Sequence, residues 1–255
     1  MAQRISRTKR TLAGERLDRP GEVATVLRVL YLVFNEGYTG EVDLAEEALR
    51  LTRQLSAAID HPEARGLLAL MLLHHARRAA RFRSGGAGRD SNDGGDDDEL
   101  IPLAEQDRTR WDARAIAEGV AILQAALARD QLGEYQAQAA IAALHADAAS
   151  TAETDWVQIV EWYDELLALR DNPVARLGRA AAVGHAVGPH AGLAALVDLP
   201  ESLPRRTAAQ AYLHELAGDT GGAAALYGVA ATEATSVAER RYLARKAAEL
   251  RRAES

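Results

Sequence analysis

The 255-residue chain contains no cysteine, two lysines and few aromatic side chains, and each shortage removes a kind of chemistry. Without cysteine there is no disulfide, no thiolate metal site and no cysteine nucleophile, a composition suited to a reducing compartment. Lys9 precedes Arg10 and Lys246 precedes Ala247. No Gly-Lys-Ser or Gly-Lys-Thr phosphate loop is therefore possible, which excludes a Walker-type nucleotidase. The longest apolar stretch, Leu67 to Leu73, stops at His74 and His75, far short of the roughly 20 residues that a membrane-spanning helix needs. The basic start, Met1 to Arg10, is not followed by an apolar segment, so it is no secretory signal. A cytoplasmic protein without membrane contact is expected.

Catalytic motifs are also missing. No Gly-x-Ser-x-Gly elbow occurs, and the serines lie mostly in loops and caps without a histidine at motif spacing. His214-Glu215 begins a zincin-like spelling, but Gly218 stands where the second histidine ligand belongs. His74 and His75, being adjacent, point about 100° apart on a helix and do not readily share a metal. These absences predict a protein that is not an enzyme, with no metal, no cofactor and no small-molecule substrate.

What is present is helix. Hydrophobic residues make up 48% of the chain and recur at spacings of three and four. Val23, Val26, Leu27, Leu30 and Phe34 form one stripe; Leu44, Ala48, Leu51, Leu55 and Ile59 form a second, with Asp43 and Glu46 spaced as a reciprocal cap. A third helix, about 63–83, is apolar nearly all round between Leu67 and Leu73, which predicts a central helix covered by neighbours. Its end, Arg77 to Arg81, is expected to return to solvent.

The later helices recur with a period. Asp155, Pro189 and Asp219, taken as starts of second helices, are 34 and 30 residues apart, close to the tetratricopeptide length. Gly218, Asp219, Ala223, Tyr227 and Ala230 follow the tetratricopeptide second-helix pattern, in which small residues let paired helices approach and the aromatic fills the groove between them. Trp156, Trp162, Tyr163, Leu166, Leu167 and Pro173 give a heavier version. Asn172-Pro173 is a strong helix start. Ser236 and Glu239 form a capping box before a last helix carrying Tyr242, Ala247 and Leu250. The predicted fold is all-α, made of tetratricopeptide-like stacked helical hairpins, and the aromatics are read as packing.

Two stretches interrupt the pattern. Residues 84–99 hold five glycines and six acids and are read as an acidic, glycine-rich disordered loop. A calcium loop is the sharper alternative, but Gly94 falls where the third ligand of an Asp90 start belongs. The other is the basic start, where residues 1–12 carry +4 and the remaining 243 residues −11. Arg4, Arg7 and Arg10 are spaced by three, as on the side of a recognition helix; a solvated tail is the plain alternative.

Two charged clusters are candidate docking patches. Phe34-Asn35-Glu36-Gly37-Tyr38 ends the first helix, with Gly37 suited to a left-handed cap. Glu105 to Asp112 crowds charges around Trp111 before a helix starting near Asp112. There Arg108 or Arg110 is placed to stack on Trp111 or pair with Asp107. An ion-pair corner is the first reading of that cluster and partner docking the second.

These motifs, in order along the chain, resemble one family. Met1 to Leu12 is similar to the last helix of the region-4 helix-turn-helix of extracytoplasmic-function RNA polymerase sigma factors. Leu30 to Tyr38, Leu67 to His74, Glu105 to Asp112 and Thr154 to Trp156 resemble the long C-terminal extension of the subgroup with a tetratricopeptide-like tail. The resemblance divides the chain into a recognition-helix remnant (1–14), an N-terminal helical part (20–83), the loop (84–99) and a helical array (100–252). It implies a regulatory extension acting in transcription initiation through protein–protein contacts. Its partners would be sigma regions 2 and 4, core RNA polymerase and promoter DNA. Gln3, Arg4, Ser6 and Arg7 would face promoter DNA, with Lys9 and Arg10 nearer the backbone. Asn35, Glu36, Tyr38, Asp107, Arg108, Arg110 and Trp111 are candidate docking residues. Region 2 and nearly all of region 4 are missing, so this polypeptide is not expected to work as a sigma factor by itself. A free-standing tetratricopeptide-like scaffold for a peptide or small protein is the competing reading.

Overall fold

The computed structural model describes residues 21–37, 44–83 and 99–253. The recognition-helix residues Gln3, Arg4, Ser6, Arg7, Lys9 and Arg10 lie outside the described residues, as do Asp43, Tyr38 and positions 84–98 of the acidic loop.

The fold is all-α. Three helices open it: α1 (Val23–Gly37), α2 (Leu44–Ala58) and α3 (Pro62–His75). Leu27, Leu30 and Phe34 of α1 meet Leu67 and Met71 of α3 in one buried cluster, each fully buried large side chain contributing roughly 1.5–3 kcal/mol. As expected, α3 is the central helix, buried continuously from Gly66 to Leu73. Two expectations are corrected. The buried stripe of α2 is Ala45, Ala48 and Thr52, while Leu51 is exposed. The helix is rotated so that its small side chains face α1 and the two backbones close up. Residues 77–81 do not return to solvent either: Ala80 is buried, in a short 3₁₀ turn at Arg78–Ala80.

That turn leads into the described strand pairing, the two-residue antiparallel match of β1 (Phe82–Arg83) with β2 (Glu99–Leu100). Beyond it a strap, residues 99–108, runs into the Trp111 corner and then into α4 (Ala113–Leu127). Helix α4 packs back on α3, as does α5 (Glu134–Asp147): Ala69, Leu70 and Leu73 share a cluster with Leu123, Ala139 and Ala140. Two adjoining clusters, flanked in common by Tyr31 and Tyr135, thus span the first five helices.

The array continues with α6 (Trp156–Leu169), α7 (Pro173–Ala186), the short α8 (Pro189–Ala195), α9 (Arg206–Leu216), α10 (Thr220–Glu233) and α11 (Val237–Ala253), each packed on its neighbours in sequence. All three positions expected to begin second helices do so. Asp155 caps α6 through the Gln158 amide at 2.9 Å, Pro189 is the first residue of α8, and Asp219 caps α10 through the Gly222 amide at 2.9 Å. Asn172 caps α7 through the Ala175 amide at 2.8 Å. Ala223, Tyr227 and Ala230 are all buried, as their spacing predicts. The Ser236 capping box is corrected: the Glu239 carboxylate is taken by Arg205 at 2.8 Å.

No described helix is long and apolar enough to cross a membrane.

Candidate functional site

The docking residues predicted at the end of α1 separate. Asn35 and Glu36 are exposed, and the Asn35 side chain bonds the Tyr31 hydroxyl. Gly37 is buried and remains within the helix rather than adopting a left-handed conformation. Glycine is required there for a different reason: a Cβ would collide with the backbone of Leu44 and Ala45. Close approach of α1 and α2, not a positive φ, selects it.

The Trp111 corner separates too. Trp111 is buried, with the Arg108 guanidinium 4.8 Å from its ring centroid. Arg108 also donates to the His145 carbonyl at 2.6 Å and to the Ala148 carbonyl, so it joins the strap to the end of α5. Asp107 accepts from the Thr109 amide at 3.0 Å and the Thr109 hydroxyl at 2.6 Å. Those bonds hold its carboxyl below the usual range. Asp112 caps α4. Arg110 alone in this cluster is an exposed cation with no hydrogen bond among the described residues. The corner therefore has an inward-facing part that knits the fold and one outward-facing arginine.

The feature that sequence reasoning missed is a cleft of about 700 Å³ on one face of the array. Its floor is built from the smallest residues available: Gly178, Ala181 and Ala182 of α7 with Ala208 and Ala209 of α9. Aromatic rings also line it: Trp156 and Tyr163 of α6, with Tyr212, Tyr227 and Tyr242. Leu100, Pro102 and Leu103 of the strap lie along it.

Along the cleft the rings form a ladder. His145 meets the Trp156 ring edge-on at 5.3 Å, Trp156 stacks on His185 at 3.9 Å with 6° between planes, and His185 Nε2 lies 2.6 Å from the Tyr212 hydroxyl. The Trp156 indole donates to the Thr151 carbonyl at 3.0 Å. Burial disfavours charging of both histidines. His145 is pulled down to about 4 by burial and then by the Arg77, Arg108 and His185 charges, and His185 is lowered by burial. Both imidazoles are neutral at physiological pH.

The charges lining the cleft are neutralised within the protein. Glu215 accepts from the Tyr227 hydroxyl at 2.7 Å and from Lys246 at 2.6 Å. Arg245 reaches Glu99, Glu105 at 3.5 Å and Glu249 at 2.7 Å, tying the strap to α11. At the strap's other side the Ile101 amide donates to the Arg81 carbonyl at 2.8 Å. No group of metal-binding side chains occurs among the described residues. The arrangement can hold a ligand by burial, ring contact and hydrogen bonding.

Comparison with known proteins gives three findings. Residues 22–127 match a family described as a Family of unknown function (DUF6596). The chain is 38% identical over 234 residues to an uncharacterized protein of Rhizobium meliloti (strain 1021), an alignment covering 86% of this chain and 52% of the relative. The chain thus spans about half the length of the relative it matches. No solved structure matches it.

Proposed function

We propose that this chain is the regulatory C-terminal extension of an extracytoplasmic-function sigma factor, acting in transcription initiation through contacts with the promoter-binding modules or with polymerase. The observation that carries the reading is the ordered set of motifs from Met1 to Trp156 that resembles this subgroup. Two others support it. The matched relative is about twice as long as the aligned stretch, which leaves room for a sigma module in a protein of this kind. An array of helical hairpins is also suited to protein contacts. In this reading Asn35, Glu36 and Arg110 are the outward-facing docking residues, the segment holding Gln3, Arg4, Ser6, Arg7, Lys9 and Arg10 completes the recognition helix, and the protein works in the cytoplasm without catalysing a reaction.

The coding DNA upstream of Met1, read in the same frame, is expected to encode a region-2 and helix-turn-helix module without an intervening stop. An in-frame stop close upstream with its own ribosome site would instead favour the free-standing scaffold. At the protein level, Arg110→Ala is expected to weaken binding of the array to the sigma module severalfold while moving the melting temperature by no more than a typical surface change, about 0.5 kcal/mol in stability. Equal losses in binding and stability would make the corner purely structural.

A further inference from the structure

Two phenol hydroxyls line the cleft without a hydrogen-bond partner among the described residues. The Tyr163 hydroxyl lies against Gly178, close enough that a Cβ there would collide with it, and burial raises its pKa. It has no hydrogen-bond partner among the described residues. The Tyr242 hydroxyl, also in the cleft lining, lacks one too, although the Arg245 guanidinium sits 5.5 Å from its ring centroid. Neither hydroxyl is sealed from solvent, so each is available to donate to a molecule that enters the cleft.

The charged groups of the cleft, and His185, are already engaged. Glu215 is held by Lys246 and Tyr227, Glu239 by Arg205, Arg108 by two carbonyls, and His185 by Tyr212. A charged ligand would have to break one of these pairs. A neutral one with acceptors would complete the two phenols and displace nothing. The floor points the same way: five Gly and Ala positions among aromatic rings make an apolar space of about 700 Å³, within the range of small-molecule pockets. A peptide is disfavoured because the strap, pinned by Arg245 and by the Arg81 carbonyl, already lies along the groove that a running chain would use.

We propose that the cleft between the strap and helices α6, α7, α9 and α11 binds an uncharged, largely apolar small molecule bearing hydrogen-bond acceptors, which accepts from the Tyr163 hydroxyl. The site stands on its own geometry and does not depend on the sigma-factor reading. In that context it would make the extension responsive to a ligand.

Nile red, a neutral fused aromatic with a carbonyl acceptor, is a suitable probe for the full chain. Its fluorescence is expected to rise saturably with one equivalent bound. Filling the floor from either helix, by Ala181→Phe or Ala208→Trp, is expected to abolish the saturable phase while helicity and melting persist. Tyr163→Phe keeps the ring and removes the donor. It is expected to weaken the dye about fivefold, the order of one hydrogen bond, and to leave the free protein's melting temperature unchanged or slightly raised, because no internal bond is lost. Unchanged dye affinity in both floor variants, or full affinity in Tyr163→Phe, would overturn the proposal. So would displacement of the dye by an added sigma module, which would make the cleft a protein interface and leave the proposed function standing. Saturable, floor-dependent dye binding in a protein with no effect on transcription would support the ligand site and count against the sigma reading instead.

Discussion

His145 and His185 are 40 positions apart in the chain, yet they sit on either side of Trp156 in one stack. Because His145 is pulled down to about 4, unfolding lets it take up a proton at any pH between that value and the ordinary histidine value near 6.5. The unfolded state therefore binds more protons in that window, and stability falls as pH drops through it. Between pH 7 and 5 the loss from His145 amounts to about 2 kcal/mol. Denaturant melts at the two pH values are expected to show that loss in the parent chain and a smaller one in His145→Asn; an equal loss in both would place the titration elsewhere. Nothing in the sequence announced this pair. Each histidine lies at an unremarkable helical position, and only the folding of α5, α6 and α7 onto one face brings their rings together. The Arg108 and Trp111 contact, by contrast, was legible because only two residues of chain separate the partners and a helix cap fixes the turn between them.

At the scale of elements, starts were easier to read than faces. Asp112, Asp155, Asn172 and Asp219 each accept from an amide two or three residues on, a local interaction that depends only on neighbouring residues. On α2 and just beyond it, Ala48, Leu55 and Ile59 pack on the core as their spacing predicts, but Leu51 faces outward and the small Ala45 is buried instead, because close packing against α1 selects small side chains. Helix α5 shows a cap that no local pattern reveals. Its first amides, of Tyr135 and Gln136, donate at 3.0 Å to the two carboxylate oxygens of Glu63 on α3, 72 residues earlier in the case of Tyr135. The carboxylate also sits against Gly133, where a Cβ would collide with it. Glu63→Ala leaves both amides without that acceptor and is expected to lower stability by about 1–2 kcal/mol, the range of a lost cap, as read by urea denaturation. Hydrogen exchange should localise the loss to the first turn of α5. No change in exchange there would mean that water replaces the carboxylate at no cost.

Over the whole molecule, the all-α class and the hairpin order followed from periodicity and helix signals spread along the chain. The cleft did not, because it is made by positions that lack bulk: Gly178, Ala181 and Ala208 read as helix–helix spacing residues in sequence and become a floor only when α7 and α9 lie side by side. The strap is similar. Glu99 and Glu105 look like part of an acidic stretch until Arg245, 146 residues beyond Glu99, pairs with them. These long-range links join the first helices, the strap and the last helix, so a perturbation at one end of the array has a connected route to the other.

The measurement that tests this account most directly is run-off transcription from a cognate promoter by core polymerase and a sigma factor carrying this chain, compared with the same factor lacking residues 20–252. Removal of the array is expected to change transcript yield severalfold, with the sigma module still folded and bound to core. Identical yields with and without it would contradict the assignment of this chain as a regulator of transcription initiation.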